Sequence, residues 1–304
     1  MKSKIVTKQQ KMRLETERSI LLESKSPFLC QGIQFLESTD EVCIIQEYVE
    51  GRALYECVWK YSDKGRFPEH VAKFFAAQLV LALRDLHTQG YIHRDFKSGN
   101  VIVEKCGFIK LVDFGLSKKA SVAGNRTQSL CGTHYIMAPE VFNKKTYNLS
   151  IDWWSLGVVV YEMVVGHPPW EYLCPTNTTI DEYFRSIECK AKSLFRATDE
   201  NITDTLSCFS PELKTLICAL LQTNPRERLG KNGAAEVMKH SWFYDIDWLR
   251  LESKEDRITV PYDYYNDYNV LHARTPSRQY KARESISSAE SIDSDQNAKY
   301  FADF

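Results

Sequence analysis

The pattern of apolar and polar positions changes period near residue 68, and that change divides the chain. Upstream, residues 8–23 place Met12, Leu14, Ile20 and Leu21 among charged residues at helical spacing, which predicts one exposed amphipathic helix. Two short alternating runs follow, around 31–37 and 42–47, and read as strands. From Pro68 the run PEHVAKFFAAQLVLALRDLHTQG opens on a proline and an acidic residue and has Gly90 just past its end. Within it Val71, Phe74, Phe75, Gln78, Leu79, Ala82, Leu83 and Leu86 recur at steps of three and four, so a long, mostly buried helix is expected.

Beyond it the short runs VIVE and FIKLV read as strands bracketing a turn at 105–107. Residues 113–140 read as a loop too long for an ordinary connection, which marks it as functional. The nearly all-apolar stretch 150–165 (SIDWWSLGVVVYEMVV) predicts a helix at the centre of a helical domain. Further helical patterns lie near 180–189, 211–221 and 234–239. From about Leu251 the chain turns polar, with a Ser- and acid-rich segment before it ends on FADF. The fold class expected is α+β and bilobal. A partial small lobe with one helix and two strands spans 1–48, a large helical lobe 49–250, and a tail 251–304.

Composition narrows the class. Lys plus Arg number 39 against 40 Asp plus Glu, so no global charge steers the chain toward nucleic acid. The nine cysteines are odd in number and form no CxxC pair, which argues for thiols in a reducing cytoplasm and against zinc or a disulfide framework. The first 19 residues lack the apolar core of a secretory signal. The longest apolar stretch, GVVVYEMVVG, is broken by Glu162 and is too short to span a membrane.

The chemistry gathers around YIHRDFKSGN at 91–100. Asp95 follows the long helix, Asn100 lies five residues on, and Asp113 opens DFG thirteen further. One Asp to accept or orient a hydroxyl proton, with Asn and Asp oxygens for Mg2+, suits phosphoryl transfer. Lys97 can set positive charge against the transferring group.

HRDFKSGN, DFG at 113–115 and APE at 138–140 resemble the signature set of the eukaryotic protein kinases. Each specified letter has roughly a one-in-twenty chance of arising at random, and about ten in order leave coincidence no room. Lys97 two residues after Asp95, and Thr133 in CGTHYIMAPE, resemble serine/threonine kinases; RTQSLCGT, DWWSLGVVVYEM, GHPPW, ERLG and HSWF are similar to the AGC group. Within that group the likeness is to cyclic-nucleotide-dependent kinases.

The resemblance implies ATP and Mg2+ as cofactors, protein substrates, and a regulatory subunit or upstream activating kinase as partner. It implies Asp95 and Lys97 as catalytic, Asn100 and Asp113 as metal ligands, and Glu17 and Glu47 at the nucleotide. Glu17 resembles the partner of a nucleotide-binding lysine. Arg94 would receive a phosphate carried on Ser129. Glu140 and Arg228 resemble a buried ion pair, and Asp152 a carboxylate under the catalytic loop. Thr133 and Glu162 fall to the substrate side, and Phe301 and Phe304 to a motif by which the tail clips onto the small lobe.

The chain also departs from that pattern. No GxGxxG occurs, and no apolar strand ending in Lys stands before Glu17, so the expectation is a chain that starts after the first strands of the small lobe. The remaining strands would then present an unpaired edge and an uncovered face, and phosphotransfer by this chain alone would be weak or absent. Basophilic relatives carry acidic residues where this chain has Gly99 and Ala53, so arginine-directed specificity is not expected from Glu162 alone. The alternative in another class is a pseudokinase that acts by binding protein partners.

Overall fold

A computed structural model describes residues 7–60, 65–120, 132–170, 179–193 and 208–255. The first helix, α1 (Lys8–Glu23), starts where Thr7 and Gln10 exchange backbone and side-chain hydrogen bonds, which satisfies two of the free amides of the first turn. It forms over the expected residues but is not the exposed amphipath its spacing implied. Ile20 and Leu21 are buried at its C-terminal end while Met12 stays exposed, so burial is concentrated at one end of the helix.

Strands β1 (Gly32–Glu37) and β2 (Val42–Gln46) pair antiparallel, with a register shift between Gly32 and Gln34. Among the described residues no third strand joins this sheet, and Ile33, Leu36 and Ile45 are exposed on it. The chain then enters β3 (Gly51–Ala53) and α2 (Leu54–Lys60), neither of which the residue pattern predicted. The long helix α3 (Glu69–Thr88) follows and buries the expected apolar positions. β4 (Tyr91–Ile92) leads to the catalytic-loop motif, and β5 (Val101–Glu104) and β6 (Ile109–Leu111) form with β3 a sheet in the order β3-β5-β6. Two-residue β7 (Lys118–Lys119) pairs with β4. The expected long loop is thus interrupted by β7, by a tight turn over His134–Ile136 and by α4 (Pro139–Phe142).

Helix α5 (Ser150–Val165) occupies the centre of the helical body, with every residue from Ser150 to Val164 buried, and ends at Gly166, whose φ of 98° closes the helix in the left-handed region. α6 (Ile180–Ser193) precedes α7 (Pro211–Leu220), which Ser210 caps by accepting from Leu213 N with Pro211 at the first helical position. Gly157 lets α5 and α7 approach, since a Cβ there would sit 2.9 Å from Leu220 Cβ. The chain continues through α8 (Ala234–Met238) to α9 (Trp248–Glu252), which packs on α3. Among the described residues no helix is long and apolar enough to cross a membrane.

Candidate active site

Asp152, in the first turn of α5, is fully buried and organises the loop above it. Its Oδ2 accepts from His93 N at 2.8 Å and its Oδ1 from Arg94 N at 3.0 Å, while His87 Nε2 of α3 lies 2.8 Å from Oδ2. Burial alone would raise the Asp152 pKa, but the His87 hydrogen bond and charge and the His93 contacts outweigh it and hold it below the ordinary value. His93 is wholly buried between the rings of Phe96 and Phe114, and desolvation keeps its pKa down, so it stays neutral. It is a core histidine that shapes the loop. Arg94 is held in the left-handed region, at φ 69°, as is Asp113 at φ 60°. Both are non-glycine residues that pay local strain to aim their side chains.

Asp95 is the hub of the site. Its Oδ1 accepts from Thr133 N at 2.8 Å and from Thr133 Oγ1 at 2.7 Å. Its Oδ2 is 2.9 Å from Lys97 Nζ and accepts from Asn100 Nδ2 at 3.2 Å. Lys97 Nζ also donates to Thr133 Oγ1 at 2.8 Å, and Asn100 Nδ2 to the Asp95 carbonyl at 2.9 Å. Burial pushes the Asp95 pKa up, but Lys97 and the Thr133 hydrogen bonds more than offset it, so the carboxylate stays ionised. Gly132 makes this convergence feasible. A Cβ there would lie 2.5 Å from the Arg94 carbonyl, and its φ of 110° strains any other residue.

Asp113 is exposed at the start of DFG, with Oδ1 accepting from Gly115 N at 3.2 Å, while Phe114 is buried. Glu17 faces it from α1, and a Cβ on Gly115 would lie 3.8 Å from Glu17 Oε2. Desolvation, then the Asp113 charge, raise the Glu17 pKa, and among the described residues no cation pairs with it. Arg94 Nε donates to the Leu116 carbonyl at 2.6 Å, which ties the HRD loop to the DFG segment. The Glu47 carboxylate is turned onto protein groups, accepting from Lys110 Nζ at 2.6 Å and Gln31 N at 2.7 Å. Glu140 Oε1 and Oε2 accept from Arg228 Nη1 and Nη2 at 2.6 and 2.9 Å, with both residues buried. Glu162 is a buried residue late in α5, and Gly99 lies beside Tyr55 and Lys97. Ser129, Phe301 and Phe304 lie outside the described residues.

The structure therefore gathers Asp95, Lys97, Asn100 and Thr133 into one hydrogen-bonded cluster, with Asp113 and Glu17 facing each other beside it. Sequence reasoning missed His87, which the spacing places on α3 but which only folding brings under Asp152. It also missed Lys110, the cation that engages Glu47. The one visible signal for Lys110 was a charge inside the otherwise apolar strand FIKLV.

The donor set suits a hard divalent cation. Asn100 spends its amide nitrogen on Asp95, which leaves its hard oxygen for a cation, and Asp113 adds an exposed carboxylate. Among the described residues no group of three or more His, Cys, Asp or Glu could hold a metal ion.

The family described as Protein kinase domain matches residues 1–243. RAC-beta serine/threonine-protein kinase A of Xenopus laevis is 33% identical over 263 residues, covering 86% of this chain and 50% of that protein. The cAMP-dependent protein kinase type 3 of Saccharomyces cerevisiae is 34% identical over 264 residues, covering 86% of this chain and 60% of that protein. The cAMP-dependent protein kinase catalytic subunit of Dictyostelium discoideum is 34% identical over 84% of this chain and 36% of its own length. The chain belongs to the protein kinase family, and its relatives are serine/threonine kinases of the AGC group. Identity to the RAC and the cAMP-dependent kinases is equal within a percentage point, so it favours neither. The chain spans about half the length of the curated relatives it matches.

Proposed function

We propose that this chain carries the catalytic machinery for transferring the γ-phosphate of ATP to serine or threonine hydroxyls of protein substrates. The observation that carries this reading is the Asp95 cluster, an ionised buried carboxylate bonded to Lys97, Asn100 and Thr133 at once. In the step, the substrate oxygen bonds to the γ-phosphorus, the bond to the β-phosphate oxygen breaks, and ADP leaves with that electron pair. The hydroxyl proton passes to Asp95. Asn100 and Asp113 are the residues that would hold a magnesium ion, which would neutralise charge on the phosphates.

The two oxygens of Asp95 are not equivalent. Oδ1 is fixed by a backbone amide and a hydroxyl of one residue, Thr133. Oδ2 is held by the side chains of Lys97 and Asn100. Lys97 turned to phosphate would free one side of Oδ2 to orient the incoming hydroxyl, while Asn100 keeps its amide nitrogen on Asp95 and offers its oxygen to the metal. Thr133, bonded to both Asp95 and Lys97, positions the pair for substrate. The Glu47 carboxylate is already engaged, so nucleotide contacts at that linker would fall to its backbone.

The domain reading, with a small lobe ending near residue 48, a helical lobe to 250 and a tail beyond, belongs to the same proposal. So do a regulatory subunit or upstream kinase as partner and a phosphate on Ser129 received by Arg94. A cytoplasmic location is supported by thiols such as buried Cys30, whose pKa burial and the Glu47 charge push up to about 11, and Cys57. The test is transfer of labelled γ-phosphate from Mg-ATP to a degenerate serine/threonine peptide library, beside Asp95→Asn. Transfer by the unmodified chain, reduced about 10²–10³-fold or more in the variant, supports the enzyme. Equal counts from both would overturn the assigned role, and no nucleotide-dependent thermal shift at millimolar Mg-ATP would favour the pseudokinase reading.

A further inference from the structure

A continuous run of polar contacts crosses the molecule behind the site. Arg84 and Asp85 interrupt the buried apolar surface of α3, and both are half-buried. The Arg84 guanidinium grips Glu252 of α9 through two hydrogen bonds, at 3.1 and 2.7 Å, and its Nε donates to Asp85 Oδ1 at 2.8 Å. Asp85 Oδ2 accepts from Ser26 Oγ at 2.5 Å. Ser26 is buried in the turn that follows α1, and Gln89, which caps the C-terminal end of α3, donates to Ser24 Oγ in the same turn at 3.2 Å.

From that turn the contacts continue forward. Gln31 Nε2 donates to the Ser26 carbonyl at 3.0 Å, Gln31 N to Glu47 Oε1 at 2.7 Å, and Glu47 N back to the Gln31 carbonyl at 2.9 Å. Lys110 Nζ closes the run on Glu47. The turn at Ser26 therefore joins three things: the C-terminal end of the helix that carries Glu17, the strand that leads to the Glu47 linker, and α3 of the helical body. Backbone hydrogen bonds from Leu111 N to the Phe28 carbonyl and from Cys30 N to the Leu111 carbonyl anchor its far side.

We propose that Asp85 is a positioning residue: by holding Ser26 it fixes the height of α1 and of the Glu47 linker above the catalytic loop, and Arg84 couples that position to Glu252 and the start of the C-terminal segment. Among the described residues no hydrogen bond or ion pair joins the Asp95 cluster to this run, so loss of Asp85 loosens the nucleotide side of the site while the hydroxyl side keeps its geometry. Charge-assisted bonds are the strong members of such a chain, and the buried hydroxyl of Ser26 is left without its acceptor when Asp85 is removed. The kinetic arm of the test rests on the phosphotransfer reading; the exchange arm does not.

The experiment compares the full chain with Asp85→Ala, Ser26→Ala, Glu252→Gln and the Asp85→Ala/Ser26→Ala double variant. Amide hydrogen exchange is followed in α1 and in α5, and KM for Mg-ATP and for peptide together with kcat wherever turnover is measurable. The expected result is exchange at least about tenfold faster in α1 with α5 unchanged, and KM for Mg-ATP raised about tenfold with peptide KM and kcat within a factor of about three. Ser26→Ala should match Asp85→Ala, the double variant should be no worse than either, and Glu252→Gln should give a smaller change of the same kind. A uniform loss, with α1 and α5 exchanging faster together or kcat falling at constant KM, would overturn the proposal and leave Asp85 a general stability residue. If the unmodified chain shows no turnover, the kinetic arm is dropped and the α1-against-α5 exchange comparison still decides for or against Asp85.

Discussion

Replacing Glu140 by alanine should cost the fold more than any change at the Asp95 cluster, although Glu140 takes no part in the proposed chemistry. Arg228 is wholly buried, with its guanidinium bonded to both Glu140 oxygens, to the Ser150 carbonyl at 3.1 Å and to the Gln222 carbonyl at 3.0 Å, and lying 5.2 Å from the Trp154 ring. Glu140→Ala removes the only anion in that set and leaves the cation with two neutral acceptors. An uncompensated buried charge of this kind costs about 3–5 kcal/mol. At about 2–4 °C per kcal/mol for a domain of this size, Tm should fall by roughly 6–20 °C. The double variant Glu140→Leu/Arg228→Met removes the charge altogether, but it strands two backbone carbonyls at about 1 kcal/mol each. It should therefore lie about 2 kcal/mol below the unmodified chain and recover at least about 1 kcal/mol relative to Glu140→Ala. Urea unfolding of the unmodified chain, Glu140→Ala and the double variant, with m-values compared, measures this directly. A single variant costing less than about 1 kcal/mol, or a double variant no better than the single, would refute the view that the pair is a buried-charge problem solved by proximity.

The other predictions concern individual titratable groups. Asp113→Asn should leave Tm nearly unchanged, because Asp113 is exposed, yet abolish both phosphotransfer and any Mg2+-dependent part of the ATP thermal shift; undiminished turnover would remove Asp113 from the metal site. Glu17→Gln should stabilise the chain slightly, within about 1 kcal/mol at pH 7, since the carboxylate is opposed by burial and then by Asp113. Its raised pKa means the fold binds that proton more tightly than the unfolded chain, so the gain should vanish below pH 4.5 and grow as pH rises through the folded value. A gain independent of pH would show that charge is not its cause. His93 has the opposite linkage: its pKa is depressed, so the unfolded chain takes the proton first as pH falls below 6.5, and stability declines. Comparing urea midpoints at pH 7.5 and 5.5 for the unmodified chain and His93→Gln should show a smaller loss in the variant.

Much of the helical body was legible because its burial follows one period along one element. The stretch 150–165 forms α5 over those same residues, and the run after Pro68 forms α3 with its apolar positions buried. β3 and α2 were not legible: GRA is too short for alternation to register, and LYECVWK is buried at Leu54, Cys57 and Val58 alone. The contiguous motif HRDFKSGN located Asp95, Lys97 and Asn100 together, since the loop that bears them is local. Its supports were legible only through the resemblance, which placed Asp152 under the loop and Thr133 in the site; spacing alone pairs neither, because Thr133 lies 38 residues from Asp95 and Asp152 contacts His93 across 59. The resemblance implied Glu47 at the nucleotide, but where its carboxylate points depends on Lys110, 63 residues on. Spacing along a chain reports local geometry, whereas polar pairs of this separation are fixed only once the core has formed.

The two aspartates under and within the loop show what such pairs decide. Asp95 and Asp152 are both buried, both fully bonded and both kept ionised against the cost of burial. Two of the three groups on Asp152 are backbone amides of His93 and Arg94, and the third is His87, itself packed edge-on against Trp153. Those partners cannot turn away without unfolding the loop, so Asp152 is spent as a structural anion. On Asp95 the fixed partner, Thr133 N, is confined to Oδ1, and Oδ2 depends wholly on the side chains of Lys97 and Asn100. The Lys97 torsions can rotate at the cost of a contact that phosphate would replace, while Asn100 keeps its amide nitrogen on Asp95. Of these two buried carboxylates, the one whose bonds can be exchanged without moving backbone is the one the proposed transfer would use to take the substrate proton. That distinction, rather than burial or charge, separates Asp95 from the scaffold that holds it.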